Sequence, residues 1–239
     1  MYQPSIFMER MDSKNKILSL NLYRGKEAFE LLSNCNFQNA WDNLYKVCPW
    51  STVFQRREFI TSWYNTYQED FQPLIIMEKQ SDEITGMVHL AIPIKDAKKN
   101  RNIQIIGAGK FDAEYQVWLT EPDNKEFIKE ALKLLLKEYP KCKVIFRYIP
   151  PTVPLNWLES NSWKNRITIQ GSKRPLIGPN HPEFPNLLRK RHLKAKYNRI
   201  NRAGELKLED ITDSKQFSDL LDFLAIQYDF RQGALFNKN

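Results

Sequence analysis

A cluster of basic side chains between residues 189 and 202 is the part of this sequence whose residue types and spacing most directly indicate a chemical role. Its members are Arg189, Lys190, Arg191, Lys194, Lys196, Arg199 and Arg202. Leu193, Tyr197 and Ile200 recur beside them at helical spacing, which predicts a helix with one packing face and charged remaining faces. So much like charge destabilises a helix that has no partner. Two interpretations stay open, a solvated face and a platform that binds an anion.

A glycine-containing segment, residues 104–109 (QIIGAG), offers a second possible anion site. Its spacing fits the pattern with which GNAT-type acyltransferases surround the CoA pyrophosphate with backbone N–H groups at a helix N-terminus. Such a loop requires a helix to begin at it, whereas the strand-like EYQVWLT lies before the next predicted helix, near Asn124. We therefore interpret the segment as a glycine turn that ends a strand.

Other residue types that carry chemistry are present without the spacing that chemistry requires. Asp112 and Glu114 could share one face of a strand and serve as a base, although a solvated pair is the simpler interpretation. The three histidines are not at ligand spacing from a carboxylate or cysteine, so we expect no metal site: His89, His181 and His192. The three cysteines form no CxxC pair and are expected to be buried, reduced thiols: Cys35, Cys48 and Cys142.

Composition limits the class of protein. The chain of 239 residues is 42% hydrophobic and 13% aromatic, which is enough apolar surface for a folded core. A formal net charge of +8 favours anionic partners. The absence of G-x-S-x-G, P-loop and Rossmann patterns argues against a serine nucleophile and against nucleotide hydrolysis. No apolar run reaches the length that spans a bilayer, so we expect a cytoplasmic protein without a transmembrane segment.

Hydrophobic periodicity predicts the elements that must position these residues. The predicted strands are 16–24, 71–78, 84–94, 103–106, 115–120, 143–149 (buried) and 166–170, after a loose start. The predicted helices are 37–48, 57–67, 123–139 and a short one at 155–159. Ser51 or Thr52 is expected to cap the corner between the first two helices.

A change of composition at residues 171–185, rich in Gly, Pro, Asn and His, predicts a boundary between domains 1–172 and 173–239. Beyond it we expect the basic helix over 185–203, closed by Gly204, and then a strand at Leu206 and Leu208. Asp213 and Gln216 have the spacing of a capping box at the start of a last helix.

The element order resembles that of the GNAT fold, with a strand, two helices, further strands, a helix and a strand. We therefore expect an α/β (α+β) fold, a GNAT-like mixed sheet flanked by helices, followed by the beginning of a second GNAT-like domain. Two segments are similar to parts of bacterial cellulose-biosynthesis acetyltransferases of the CelD-like family. These are PWSTVFQRREFITSWY in the first domain and FPNLLRKRHLKAKYNRINRAGELKLEDI at the start of the second.

This resemblance implies a relation to Fem-type aminoacyl transferases. It also implies transfer of an acyl group from acyl-CoA, such as acetyl-CoA, to an amine or hydroxyl of a glycan, sugar or amine acceptor in polysaccharide or cell-envelope synthesis. It places the donor mainly in the second domain, which we expect to be incomplete at residue 239. Arg189, Lys190, Lys194 and Arg199 fall within the matching segment and are the residues expected to contact the anionic donor or substrate. No catalytic residue can be assigned.

Two other functions remain open. The face between Arg189 and Arg202 could bind nucleic acid, whereas an acyltransferase would meet nucleic acid only as an aminoacyl-tRNA donor. The chain could also be a scaffold with a GNAT-like fold and no catalysis, because a fold does not fix a function.

Overall fold

The computed structural model describes residues 6–11, 17–97, 102–171, 191–205, 207 and 209–236, together with the single residues 180, 182, 186 and 189. The chain is a mixed α/β protein that divides into two units, Met1–Thr168 and Ile169–Asn239. The first unit contains the sheet, and the described part of the second contains the helices Arg191–Ala203 and Ser214–Phe236.

The sheet of the first unit is mixed. Its strands are β1 (Ile6–Met11), β2 (Ile17–Arg24), β3 (Phe71–Gln80), β4 (Glu83–Pro93), β5 (Gln104–Gly107), β6 (Leu119–Thr120) and β7 (Lys143–Ile145). Six strands follow the order β1-β2-β3-β4-β5-β7, and β6 pairs with β4 beside this path. All pairs are antiparallel except β5 with β7, which are parallel. A parallel pair needs a crossover connection, and a helix supplies it here.

The helices of this unit are α1 (Lys26–Leu32), α2 (Cys35–Val47), α3 (Arg57–Thr66), α4 (Ile94–Ala97) and α5 (Phe127–Glu138). They lie on both faces of the sheet. His89 of β4 stacks on Trp41 of α2, whereas Gly86 of the same strand faces the ring of Phe127 in α5. Because successive strand residues point to opposite faces, positions three apart show that α2 and α5 cover opposite sides.

Apolar spacing explains why α5 forms and where it packs. The residues it buries recur at three- and four-residue intervals: Phe127, Ile128, Ala131, Leu132, Leu134 and Leu135. The side chain of Asn124 accepts a hydrogen bond from the N–H of Phe127 (3.2 Å) and so satisfies one donor of the first turn. The central strands β3 and β4 are buried along most of their length, as expected for a sheet covered on both faces.

Periodicity predicted the main elements of the first unit correctly. Strand β2, helices α2 and α3, the β3–β4 hairpin and helix α5 confirm the predicted segments within a few residues. The hairpin turn is tighter than expected, because only Ser81 and Asp82 separate the strands and both have positive φ (49° and 72°). Two positive φ values are the geometry of a type I′ turn, whose twist matches that of the flanking strands.

Several predicted elements were wrong. The supposed loose start contains strand β1, and helix α1 was missed. The predicted buried strand 143–149 is only the three residues of β7, which lies at the sheet edge and is partly exposed, and the backbone of Tyr148 (φ 53°) departs from extended geometry. Of the predicted strand 115–120 only Leu119–Thr120 pairs, and residues 166–170 form no strand. The alternating residues of these segments predicted strands, but residues 115–118 and 166–170 have no partner strand among the described residues.

The second unit contains α6 (Arg191–Ala203) and α7 (Ser214–Phe236). Asp213 caps α7, since its carboxylate accepts from the N–H groups of Lys215 (3.1 Å) and Gln216 (3.2 Å). The predicted strand at Leu206 and Leu208 lies outside the described residues. Among the helices that the structure describes, none combines the length and apolar character required to cross a bilayer.

Candidate functional site at the ends of the parallel strands

The carboxyl ends of β5 and β7 lie side by side, because Ile106 is paired with Ile145 in the parallel register. In open α/β sheets, ligands bind outside the carboxyl ends of strands. The segments that follow the two strands, residues 108–118 and 146–149, are named the loop pair here. They contain the chemically functional side chains that the topology brings to this edge.

The side chain of Gln116 holds the loop pair together. Its Nε2 donates to the carbonyl of Lys110 (2.8 Å), and its Oε1 accepts from the N–H of Arg147 (2.9 Å). Its own N–H donates to the carbonyl of Arg147 (3.1 Å). Gln116 is buried, and a Cβ at Gly107 would lie 2.7 Å from its Oε1, so only glycine leaves room for this side chain. Gln116 is thus hydrogen-bonded to the backbone segment that follows β5 and to the one that follows β7.

Four N–H groups of the glycine turn at residues 107–113 donate to backbone carbonyls. Ala108 donates to the carbonyl of His89 (3.0 Å), and Lys110 donates to that of Gly107 (3.3 Å). Asp112 and Ala113 both donate to the carbonyl of Gly109, at 2.7 and 3.0 Å. The next long helix, α5, begins only at Phe127. The interpretation as a strand-ending turn is therefore confirmed, and these four N–H groups are not available to surround a CoA pyrophosphate.

The loop pair contains non-glycine residues in the left-handed region of backbone space. Lys110 has φ 36° and Tyr148 has φ 53°. Such a conformation costs an L-residue about 1–2 kcal/mol and persists only where surrounding bonds enforce it. The hydrogen bonds of Gln116 supply that constraint on both sides, to Lys110 and to Arg147. Backbone strain of this kind is concentrated at binding sites.

Two cations approach an exposed aromatic ring in the loop pair. The Lys110 Nζ lies 4.9 Å from the centroid of the Phe111 ring and 4.8 Å from that of Phe71. The Arg147 Cζ lies 4.4 Å from the Phe111 centroid. Phe111 is 68% exposed. In the part of the chain that the structure describes, neither cation has a carboxylate at ion-pair distance. Both charges are thus available to an anionic ligand.

Asp112 faces the aromatic side chains of α3 and its end. Its Oδ2 accepts a hydrogen bond from the Trp63 Nε1 (3.0 Å). The negative charge of Asp112, together with a hydrogen bond from the Tyr67 hydroxyl, raises the pKa of Tyr67 above its ordinary value. Asp112 and Glu114 both lie in an irregular segment, so the alternative in which they share one face of a strand does not form.

The corner between α2 and α3 is hydrogen-bonded to the loop pair. Thr52 caps the short 3-10 helix Val53–Gln55 in a capping box, which confirms the predicted cap. The Gln55 Nε2 donates to the carbonyl of Tyr115 (2.9 Å), and the Trp41 Nε1 donates to the carbonyl of Gln55 (3.0 Å). Buried amide and indole donors therefore fix the distance between this corner and residues 108–118.

His89 lies beneath the glycine turn and is fully enclosed. Its ring stacks on that of Trp41 (centroids 4.1 Å apart, planes at 21°), and its buried Nε2 has no hydrogen-bond partner among the described residues. Burial lowers its pKa to about 3, because an enclosed imidazolium loses its hydration. His89 is therefore neutral at physiological pH and belongs to the core.

The structure describes three of the four basic residues that the sequence analysis selected. Arg189 is exposed in a turn, Lys190 lies outside the described residues, and Lys194 and Arg199 are exposed on α6. Five residues of helix turn Lys194 and Arg199 about 140° apart, so they do not share a face. Arg199 instead lies at three-residue spacing from Lys196 and Arg202, which are also exposed.

The thiols and possible metal ligands do not form a reactive cluster. Cys48 is buried as expected, whereas Cys35 is exposed and Cys142 is half-buried, and all three are free thiols. The expectation of buried thiols was thus wrong for Cys35. Among the described residues, no group of three or more His, Cys, Asp or Glu side chains could hold a metal ion.

The sequence analysis missed the residues that define the loop pair: Lys110, Phe111, Gln116 and Arg147. The available signal was an aromatic residue next to a lysine directly after a glycine turn. Comparison with family models, with curated proteins and with solved structures gave no match. A functional proposal for this chain therefore depends on its fold and on the geometry of its sites.

Proposed function

We propose that this chain is a GNAT-like acyltransferase that moves an acyl group from acyl-CoA to an amine or hydroxyl acceptor, in polysaccharide or cell-envelope synthesis. The observation that carries the proposal is the order of elements in the first unit. Helices α1–α3 lie between β2 and β3, the strands from β2 to β5 are antiparallel, and α5 then leads to the parallel strand β7. This order resembles that of the GNAT fold, and the resemblance supports the proposal. Because fold alone does not fix function, an experiment has to decide.

The proposed reaction needs positioning more than covalent catalysis. The acceptor nitrogen or oxygen attacks the thioester carbonyl, a C–N or C–O bond forms, and the C–S bond breaks. The proton of the acceptor ends on the CoA thiol. Oriented reactants and polarisation of the carbonyl supply most of the rate in such a transfer. The lack of a serine-hydrolase motif in the sequence is consistent with this chemistry.

We assign the acceptor to the loop pair and the donor to the second unit. The hydrogen bonds of the glycine turn support this division, because N–H groups already bonded there are a poor cradle for a pyrophosphate. The ring of Phe111, with Lys110 and Arg147 beside it, suits an acceptor with an apolar face and an anionic group. In the second unit, Arg199 with Lys196 and Arg202 presents the charge proposed to contact the phosphates of CoA.

Calorimetric titration with acetyl-CoA tests the donor assignment. We expect Arg199→Gln to weaken acetyl-CoA binding about tenfold, through loss of a charge-assisted hydrogen bond. Lys215→Gln removes an exposed cation in the first turn of α7 and should leave the affinity unchanged. CoA release with a panel of amines and sugars should be followed by mass spectrometry, because the exposed thiol of Cys35 would react with a thiol reagent. Failure of acetyl-CoA and aminoacyl-tRNA to bind, without acceptor-dependent CoA release, would refute the proposal.

Nucleic-acid binding through α6 is a second candidate function. The observation that favours it is that α6 contains five exposed Lys or Arg residues and no acidic residue: Arg191, Lys194, Lys196, Arg199 and Arg202. A gel-retardation series with a 20-base-pair DNA duplex should then show affinity that falls steeply with salt. Replacing Lys196, Arg199 and Arg202 by Gln should reduce the logarithmic salt slope by about 2–3. Affinity that does not depend on salt would exclude this role.

A further inference from the structure

A cavity of about 210 Å³ lies between α5 and the turns that follow residue 159. It is lined by Lys133 and Leu136 on the helix and by Ser162, Trp163 and Arg166 on the turns. All five residues belong to the first unit. The crossover helix α5 leads back from the carboxyl end of β5 to the amino end of β7, so the last turns of α5 lie away from the loop pair. This cavity is therefore a separate feature.

The sequence builds the two walls from local structure. Lys133 and Leu136 are three residues apart and so project from the same side of α5. On the other wall, the backbone N–H of Trp163 donates to the carbonyl of Ser160 (2.9 Å). The backbone N–H of Arg166 donates to the carbonyl of Trp163 (2.8 Å). These two successive turns place Trp163 and Arg166 opposite the helix.

The floor of the cavity is formed by the apolar side chains of Trp163 and Leu136. Trp163 is buried and packs edge-on against Trp157, with centroids 5.5 Å apart and planes at 84°. This contact fixes the plane of the Trp163 indole. Leu136 adds an aliphatic surface beside it. A flat, apolar ring of a ligand could pack against this floor and bury its surface there.

Among the described residues that line the cavity, the charged ones are both cations. Lys133 and Arg166 supply these charges, and Ser162 supplies a hydroxyl. The Lys133 Nζ also contacts the Glu130 Oε1 (2.9 Å), which neutralises part of its charge. Arg166 has no ion-pair partner among the described residues. Its planar guanidinium is suited to bidentate contact with a carboxylate or phosphate.

The volume limits the ligand to one ring, since sites for drug-sized molecules are about 300–1,000 Å³. We infer that this cavity binds a small compound with one planar ring and an oxyanion, either a carboxylate or a phosphate. The ring lies against Trp163 and Leu136, and the oxyanion contacts Arg166 and Lys133. The inference does not depend on acyl transfer, because none of these residues belongs to the donor or acceptor assignment.

Calorimetry and ligand-observed NMR on the 239-residue chain test the inference with benzoate, phenyl phosphate, phenol and inorganic phosphate. We expect saturable binding of benzoate or phenyl phosphate, and the stronger of the two identifies the oxyanion. Phenol lacks the charge and inorganic phosphate lacks the ring, so each should bind at least tenfold more weakly. Absence of saturable binding by both ring anions, or phenol binding as tightly as they do, overturns the inference.

A matched pair of variants locates the binding site. Arg166→Gln should weaken binding of the ring anion about tenfold, whereas Lys164→Gln changes an exposed cation two residues away that does not line the cavity. Both positions are exposed, so both variants should keep the fold, which circular dichroism checks. Ligand should also shift the indole N–H resonance that Trp163→Phe removes. Equal loss of affinity in the two charge variants, or no shift of that resonance, places the anion elsewhere and contradicts the inference.

Discussion

Gln116 shows how one side chain can set the geometry of a whole site. Its amide is bonded to Lys110 in one loop and to Arg147 in the other, and Arg147 lies 31 residues from Gln116 in the chain. Truncation leaves a partly buried carbonyl and a partly buried N–H without their partners, and each such loss costs about 1–3 kcal/mol. We therefore expect Gln116→Ala to lower the free energy of unfolding by at least about 2 kcal/mol, measured by urea denaturation.

Gln38→Ala is the control for this change, because the Gln38 Nε2 makes one hydrogen bond, to the carbonyl of Leu32, in a half-buried position. It should cost about 1 kcal/mol or less. If the two variants lost equal stability, Gln116 would not have the role of joining the loops.

His89 gives the protein a stability that depends on pH in a defined direction. Its pKa is lowered to about 3 in the folded state, from an ordinary value near 6.5. Between these values the unfolded chain binds a proton at this position and the folded chain does not. The free energy of unfolding therefore falls as pH decreases from about 6.5 toward 3, by up to about 1.4 kcal/mol for each pH unit.

His89→Phe keeps an aromatic ring against Trp41 and removes the titrating group. We expect its unfolding free energy, measured by denaturant titration at several pH values, to lack this component. Carboxylates titrate in both proteins, so the difference between the two curves isolates His89. Parallel curves for wild type and variant over pH 6.5 to 4 would contradict the assignment.

The residues of the loop pair could not be found from the sequence, for a physical reason. Lys110, Phe111 and Arg147 become neighbours only because β5 and β7 pair in parallel across a crossover helix. Periodicity describes what one segment buries and carries no information about which loops meet. The cap at Thr52, by contrast, was predictable, since it depends on residues within three positions of each other.

At the scale of elements, the structure depends on close contact between the sheet and α5. A Cβ built on Gly86 in β4 would overlap the ring of Phe127, which is fully buried at the start of that helix. Overpacking of a dense core typically costs about 1–3 kcal/mol. We expect Gly86→Ala to lower the midpoint of thermal unfolding by several degrees for this reason, measured by calorimetry.

Gly171→Ala is the matched control, because nothing lies within 4 Å of a Cβ at that position. Its midpoint should stay close to that of the wild type. If Gly86→Ala were equally neutral, the approach of α5 to the sheet would have to be looser than the structure indicates.

Elements with strong periodicity were predictable, and elements defined by their partners were not. Helix α5 buries six residues on one stripe, and that stripe is visible in the sequence. Strand β1 contains Glu9 and Arg10 and was taken for a loose start, yet it pairs with β2 over its whole length. Residues 166–170 alternate in sequence and find no partner strand in the described part of the chain. Strand pairing is a tertiary property. The sequence pattern therefore missed strand β1 and predicted a strand at residues 166–170 that does not form.

At the scale of the whole molecule, the charge and the core belong to different parts of the chain. The basic cluster of residues 189–202 lies in the second unit, whereas the buried core residues in the described part of the chain fall between Leu18 and Trp163. The sequence analysis expected domains 1–172 and 173–239 from a change of composition, and that boundary stays a prediction. The mixed sheet flanked by helices was predictable, since it follows from the order of strongly periodic segments.

This distribution of the core predicts that the first unit folds without the second. No described residue beyond Thr168 contributes to the hydrophobic cluster that joins the sheet to α2 and α5. A chain of residues 1–168 should therefore unfold in one cooperative transition, with a midpoint within a few degrees of the corresponding transition of the full chain in calorimetry. A chain of residues 1–142 is the comparison, because it lacks β7 and exposes the edge of β5, and its midpoint should be clearly lower. A 1–168 chain without a cooperative transition would mean that residues 169–239 supply part of the stability of the sheet.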